Sequence, residues 1–474
     1  MSDMPPGPAL MAEGRERAGT DAITVSSRGA LVSVSMALVG LLGYAGTVLL
    51  ANLLDAPSYR MYAAAAMLVG TVGTFASALI PMPVADVVRV HAPGSEERRQ
   101  GMAFAWSVCA AAGLAAAAVT GTIAAAFASP TVAAATAVSA GMLFVISPIF
   151  GWLQGELRFL RWSVLTVLEV VARVVLSIGA VLLGLGAGGA IAGFAVGVVA
   201  VLLITPRVLV RDLAWRPSVF REKGRWSETG GIAVAQLIVA AILGADVVVV
   251  AMLHAPAAES AGYQALSTLA KAPAYVAAGA AVVAFPLLRG AHARVHEILT
   301  AALRSFALLA FPAATLVATV PPQLVLLVIP ERYAGSLRLL PALAVEGLGF
   351  AALTLFATVM VALRAYRRCQ VGLLVAVVVM PAGIVFGWLL AGVPGVAIGV
   401  ATAALAAAGG LWIAAAPLLP PGTLRRTARG LLLTAVLVAG LALARSLPFL
   451  WTVCAVLLGG MVLRLARRAA PKAS

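Results

Sequence analysis

Six ionisable side chains fall inside apolar stretches long enough to cross a bilayer: Glu169, Arg173, Asp246, Lys271, Arg304 and Glu346. A charge deep in hydrocarbon costs several kcal/mol unless it is paired or hydrated, so these residues are the candidates for holding an ion or an anionic ligand. Glu169 and Arg173 are four apart, which places them on one face of a helix and within pairing reach. Asp246 and Lys271 lie at similar depth in consecutive stretches, so a salt bridge between them is expected. If Arg173 or Lys271 lines a cavity, its cation could bind a diphosphate through charge-assisted hydrogen bonds that are strong in a low dielectric. The alternative is that both pairs are structural locks. Glu346 could accept a coupling proton or satisfy a neighbouring helix, and Arg304, within two turns of an inner end, is expected to snorkel.

Other chemistry-bearing patterns have simpler explanations. Residues 184–189 spell G-x-G-x-x-G, but an apolar helix precedes them and no acidic ribose partner follows, so a dinucleotide site is not expected. His292 and His296 are four apart, yet Ala293 stands where a zinc protease carries glutamate, which leaves a solvated loop. Cys109, Cys369 and Cys454 have neither disulfide-framework nor metal-site spacing and are expected to be packing residues. No metal or cofactor is expected.

The elements that must position these charges are membrane spans. The chain of 474 residues is 62% hydrophobic and only 11% charged, with mean hydropathy +1.04, a balance that excludes a water-soluble globule. The expected fold class is an all-α polytopic membrane protein of about fourteen transmembrane helices. Runs begin near Leu31, Met61, Met102, Val132, Ser163, Gly188, Thr229, Gly262, Ile298, Leu340, Cys369, Gly395, Gly430 and Pro448. The segment Gln323 to Ile329 reads as an interfacial piece. The net charge of +15 comes from basic tracts between apolar runs, which point to membrane orientation and not to nucleic acid. With the N-terminus inside, 26 of the 33 Lys/Arg residues fall on the inner side and four, Arg60, Arg332, Arg338 and Arg445, on the outer. Both termini are therefore expected to be cytoplasmic. Pro148, Pro273, Pro312 and Pro381 interrupt spans and could act as hinges or as ordinary packing kinks.

The second half echoes the first. Residues 150–200 lie over 356–406 at an offset of 206, placing Leu157, Arg158 and Arg161 on Leu363, Arg364 and Arg367, and Gly189 and Gly193 on Gly395 and Gly399. A period of six spans preserves direction, so the expected architecture is two six-helix lobes in parallel repeat plus two C-terminal helices. The boundaries are 1–27 for a disordered cytoplasmic tail, 28–206 for the N-lobe, 207–228 for a basic cytoplasmic linker, 229–417 for the C-lobe, and 418–474 for the last two spans and a basic tail.

Several residue clusters resemble one family. Asp246, Ala255-Pro256, Gly262-Tyr263, Lys271, Pro273 and Phe285-Pro286 are similar to the seventh and eighth spans of polysaccharide flippases. Glu331-Arg332-Tyr333, Arg364-Ala365-Tyr366-Arg367 and the glycine-rich run 392–399 are similar to that family's outer loop, inner turn and following helix start. Leu53-Leu54-Asp55-Ala56-Pro57 with Tyr62 is similar to its first outer loop, without the usual glycines. The chain thus resembles the multidrug/oligosaccharidyl-lipid/polysaccharide (MOP) exporter superfamily, within it the Wzx-type flippases. The related lipid II flippases carry an arginine-bearing first span, whereas residues 31–54 here are uncharged.

The resemblance implies a bacterial plasma-membrane protein, not an enzyme, that moves a polyprenyl-diphosphate-linked oligosaccharide between leaflets by alternating access. Arg173 and Lys271 would bind the head group, and Glu169, Asp246 and Glu346 would serve in coupling or in structural ion pairs. Partners implied are the bilayer, the lipid-linked substrate, and a polysaccharide polymerase or glycosyltransferases. The competing readings are a cation-coupled multidrug exporter of the same superfamily and, in another class, a membrane glycosyltransferase. The enzyme would need carboxylates in a large outer loop; the longest loop here is basic and inner.

Overall fold

The computed structural model describes residues 35–205 except 37, 223–274 except 254, residue 288, and residues 295–419 and 422–469. Among these, every regular element is helical, and nine helices are long and apolar enough to cross a membrane. In chain order the elements are α1 (Leu38–Leu53), α2 (Ala56–Leu79), α3 (Pro81–Val90), α4 (Glu96–Ala125), α5 (Pro130–Gly155), α6 (Phe159–Leu182) and α7 (Gly186–Ile204). The second half supplies α8 (Lys223–Met252), α9 (Ala257–Ala270), α10 (Val295–Thr319), α11 (Leu340–Ala362), α12 (Tyr366–Ala415), α13 (Thr423–Ala444) and α14 (Pro448–Ala469).

The sequence sets several of these boundaries through capping. Asp55, Ser95 and Ser129 each accept a hydrogen bond from the backbone N–H three residues on, at the starts of α2, α4 and α5. Proline occupies the first turn of α2 and α5, where its missing N–H costs nothing. α12 breaks at Ala391 and Gly392, the latter at φ +62°, so it is two helices folded back on each other. Its two arms coincide with the eleventh and twelfth apolar runs. The shorter apolar helices Leu38–Leu53, Ala435–Ala444 and Pro448–Val462 lie in the first, thirteenth and fourteenth runs.

The structure bears on three expectations. The linker expected over 207–228 is shortened, because α8 begins at Lys223; hydropathy marks only the apolar part of a helix, whereas Lys, Arg and Glu extend it freely into the interface. The rest of that linker, like the tail 1–27 and His292, lies outside the described residues. The segment after α10 forms a short helix, Pro322–Val325, and then a 3-10 helix, Glu331–Leu339. Finally, Pro148, Pro312 and Pro381 sit inside helices.

The repeat has a structural counterpart. A side chain on Gly193 would strike Ser177 across the α6–α7 hairpin, and one on Gly399 would strike Gly383 across the two arms of α12. Both pairings are 206 residues apart, copy to copy. The preceding inner turns also match: Leu157 and Arg364 are the non-glycine residues with positive φ among those described, at 56° and 57°. Each sits in the same hydrogen-bonded turn, with Arg158 N donating to Leu153 O and Ala365 N to Met360 O. That equivalence is 207 residues, so Leu157 corresponds to Arg364 and not to Leu363. A one-residue slip is invisible in an alanine-rich alignment.

Helices α2, α4, α5, α6 and α7 pack with one another, as do α9, α10, α11 and α12, and the two groups meet where α2 lies along α8 and α9. The C-terminal pair α13–α14 docks on α10, where Trp451 Nε1 donates to Thr319 Oγ1 at 3.1 Å. α11 is the most enclosed span, with Phe350, Leu353, Leu355 and Met360 fully buried; α6 is the least enclosed.

Candidate functional site

The structure gathers three of the intramembrane charges into one cluster in the second half. Helix α9 runs only 14 residues, about 21 Å, before it is interrupted at Lys271, which caps its C-terminus with φ −77° and ψ 0°. Pro273 follows two residues later and cannot continue the ladder. A helix C-terminus favours a cation, and the lysine at this break turns inward. Lys271 Nζ donates to Asp246 of α8 at 3.1 Å and 3.3 Å, one bond to each carboxylate oxygen. Tyr263 and Ser267 donate their hydroxyls to Asp246 Oδ2, both at 3.1 Å. Tyr263, Ser267 and Lys271 are spaced by four, so one face of α9 delivers three donors to a single buried carboxylate.

Glu346 approaches from α11, with Oε1 3.8 Å from Lys271 Nζ. Neither of its oxygens has a hydrogen-bond partner among the described residues, although Asp246 and Tyr263 are near neighbours. The Lys271 ammonium also lies 5.5 Å from the Phe350 ring centroid. Gly347 makes this crowding possible, because a methyl group there would collide with the Ala270 carbonyl oxygen at the end of α9. Lys271, Asp246 and Glu346 are all essentially inaccessible. Two carboxyls around one ammonium are charge-balanced only when the carboxyls together carry one proton or one further cation.

The first-half pair is different in kind. Glu169 and Arg173 form an i,i+4 ion pair of 3.3 Å along α6, and their side chains retain 12% and 21% exposure. The Arg173 guanidinium lies 4.6 Å over the Phe194 ring of α7 and reaches toward Gly43 of α1. Gly197 of α7 packs on the Glu169 carbonyl and the Arg173 backbone, which lets the two helices close around the pair. Among the described residues no ion pair joins this site to the second-half cluster. Arg304 is exposed on α10.

Sequence reasoning identified both charge pairs but missed Tyr263 and Ser267 as ligands of Asp246; counting back from Lys271 in fours would have found them. The structure buries Arg98 at the start of α4, 2.6 Å from Glu156, where it ties α4 to the end of α5.

No family model matches the chain, and no curated protein matches it. Solved structures do. One is the lipid II flippase MurJ in an inward closed conformation, with TM-score 0.69, 12% identity, and coverage of 92% of this chain and 99% of that one. A second is the MATE multidrug transporter DinF-BH, with TM-score 0.63, 13% identity, and coverage of 83% and 94%. A third is an inward-facing multidrug resistance MATE family transporter of the MOP superfamily, with TM-score 0.57, 14% identity, and coverage of 81% and 93%. At such identities the likeness is one of fold alone: the chain folds as these three structures do.

Proposed function

From the premise that this is a multi-pass membrane protein with the MOP transporter fold, we propose that it is a flippase moving a polyprenyl-diphosphate-linked oligosaccharide across the plasma membrane by alternating access. The observation that carries the reading is the extent of the match. Likeness to the lipid II flippase runs through 92% of the chain, whereas the two multidrug transporters cover 83% and 81%. A docked C-terminal helix pair beyond the twelve-span repeat supports the same choice. In this reading the two six-helix halves rock about the crevice between them, the head group crosses through it, and the polyprenyl tail stays in lipid. No covalent step is needed. Both termini face the cytoplasm, and the polymerase or glycosyltransferases acting on the same lipid are the partners.

Arg173 and Lys271 supply the positive charge for the diphosphate. Arg173 is the first contact, since it is partly exposed and its ion pair among the described residues is with a neighbour on its own helix. Lys271 follows once its bonds to Asp246 open.

A second reading, a cation-coupled multidrug exporter, is favoured by one observation: the charge imbalance of Asp246, Lys271 and Glu346 leaves room for a coupling proton. One experiment separates the two. Purified protein in liposomes is given either a fluorescent polyprenyl-diphosphate oligosaccharide or a lipophilic cationic dye with an imposed pH gradient. The flippase reading expects protein-dependent appearance of the lipid in the opposite leaflet and no gradient-driven dye transport. Dye transport without lipid movement overturns it.

A further inference from the structure

On the side that the charge distribution assigns to the outside, the two halves are joined by a polar fastening. Helix α1 ends at Leu53, so its last carbonyls have no intrahelical donors. The Arg332 guanidinium, projecting from the 3-10 helix beyond α10, donates through Nη2 to Ala51 O and Leu54 O, each at 2.5 Å. Beside it, Asn52 donates its side-chain amide to Val328 O at 2.9 Å. These bonds connect residues 276 to 281 positions apart in the chain. Beneath them the rings of Tyr59 and Tyr333, both buried, lie 6.2 Å apart, and the Arg332 guanidinium covers the Tyr333 ring at 5.0 Å.

Two further observations give the fastening a purpose. First, it adjoins at Ala51 a small crevice lined from one half by Tyr44, Thr47 and Tyr59 and from the other by Ala265, Thr268 and Ile329. Second, its second-half anchor is packed closely against α9. A side chain on Gly262 of α9 would strike Ser336 and touch Tyr333, so the 3-10 helix rests directly on the helix whose next residue, Tyr263, bonds Asp246. Pulling on Arg332 therefore pulls on the second half as a body. A guanidinium suits this task because a single terminal NH2 group carries two hydrogens, one for each carbonyl, and its charge complements the negative end of the α1 dipole.

We propose that Arg332 is a latch that holds the outer side of the inter-half crevice shut, and that opening to the outside requires its transfer from the α1 carbonyls to water. The proposal rests on the alternating-access reading but not on the identity of the substrate. Releasing the latch exchanges protein hydrogen bonds for hydration, so it is reversible and needs no chemical step. It also assigns a role to an arginine on the side where arginines are scarce.

The test reads conformation directly. Spin labels are placed on the exposed residues Leu53 and Leu327, in a background where Cys109, Cys369 and Cys454 are replaced by serine, and inter-label distances are measured in liposomes. The parent protein should show mainly the short distance. Arg332→Ala should raise the long-distance population relative to the short one roughly tenfold, the equivalent of about 1.4 kcal/mol, and Arg332→Lys should fall between. Asn52→Ala, which removes an independent bond of the same fastening, should shift it in the same direction. Arg338→Ala, removing a charge of the same segment that is 70% exposed, should leave the distribution unchanged. Unaltered distances in Arg332→Ala and Asn52→Ala, or an equal shift in Arg338→Ala, overturn the latch. If the distances shift as expected but no lipid moves in the liposome assay, the latch stands and the flippase reading falls.

Discussion

The two acid–base pairs inside the membrane read alike in sequence and differ in almost every physical respect. Glu169 and Arg173 are neighbours on one helix, α6, the least enclosed span, and each keeps some access to its surroundings. Asp246 and Lys271 belong to different helices and are sealed, with Glu346 of a third helix completing the cluster. A pair within one helix contributes little to tertiary stability and leaves its cation free to exchange partners. A dry cluster spanning three helices fixes their relative positions, and removing one member strands the others. Under the proposed function, the first-half pair is the one placed to meet the ligand first, whereas the second-half cluster ties α8, α9 and α11 together until Lys271 leaves Asp246.

The sharpest way to break this contrast is Lys271→Ala. It leaves two carboxyls facing each other without a cation, at a cost of about 3–5 kcal/mol, and should lower the unfolding temperature in detergent far more than Arg173→Ala does. Adding Asp246→Asn to it should recover part of the loss. Next comes Tyr263→Phe, which deletes one hydrogen bond to the Asp246 carboxylate and should cost about 1.5–3 kcal/mol in the same measurement. Gly347→Ala forces α11 off the end of α9, for about 1–3 kcal/mol. Gly197→Ala should cost less, because its nearest obstacle, the Glu169 carbonyl, is 2.9 Å away and the α6–α7 hairpin is less enclosed. The smallest effect belongs to Glu169→Gln, at about 0.3–1 kcal/mol. Equal losses for Lys271→Ala and Glu169→Gln would erase the distinction between the two sites.

Much of the fold was legible because hydrocarbon imposes long apolar runs, and the basic turns between them showed where the chain reverses. The charge pairs were legible for the same reason: against an apolar background each ionisable residue stands out. What the sequence concealed were contacts between distant segments. Arg332 looked like one outer charge among four, and nothing near it in the chain indicates the carbonyls of Ala51 and Leu54. Gly347 was hidden among many glycines, since only the α9 break gives it an obstacle. The extension of α8 back to Lys223 was not legible because interfacial residues carry no hydropathy signal, and the repeat was aligned one residue out at the inner turn because backbone conformation, not side-chain identity, is what the copies share there.

The most direct test of the division between the two sites is transport by Arg173→Gln in liposomes, with a fluorescent polyprenyl-diphosphate oligosaccharide as the probe and thermal unfolding measured on the same preparation. The expected result is a transition within a few degrees of the parent protein and a rate of lipid movement at least roughly tenfold lower, the loss of one charge-assisted contact. A folded Arg173→Gln protein that moves the lipid at the parent rate would contradict it and remove Arg173 from the substrate path.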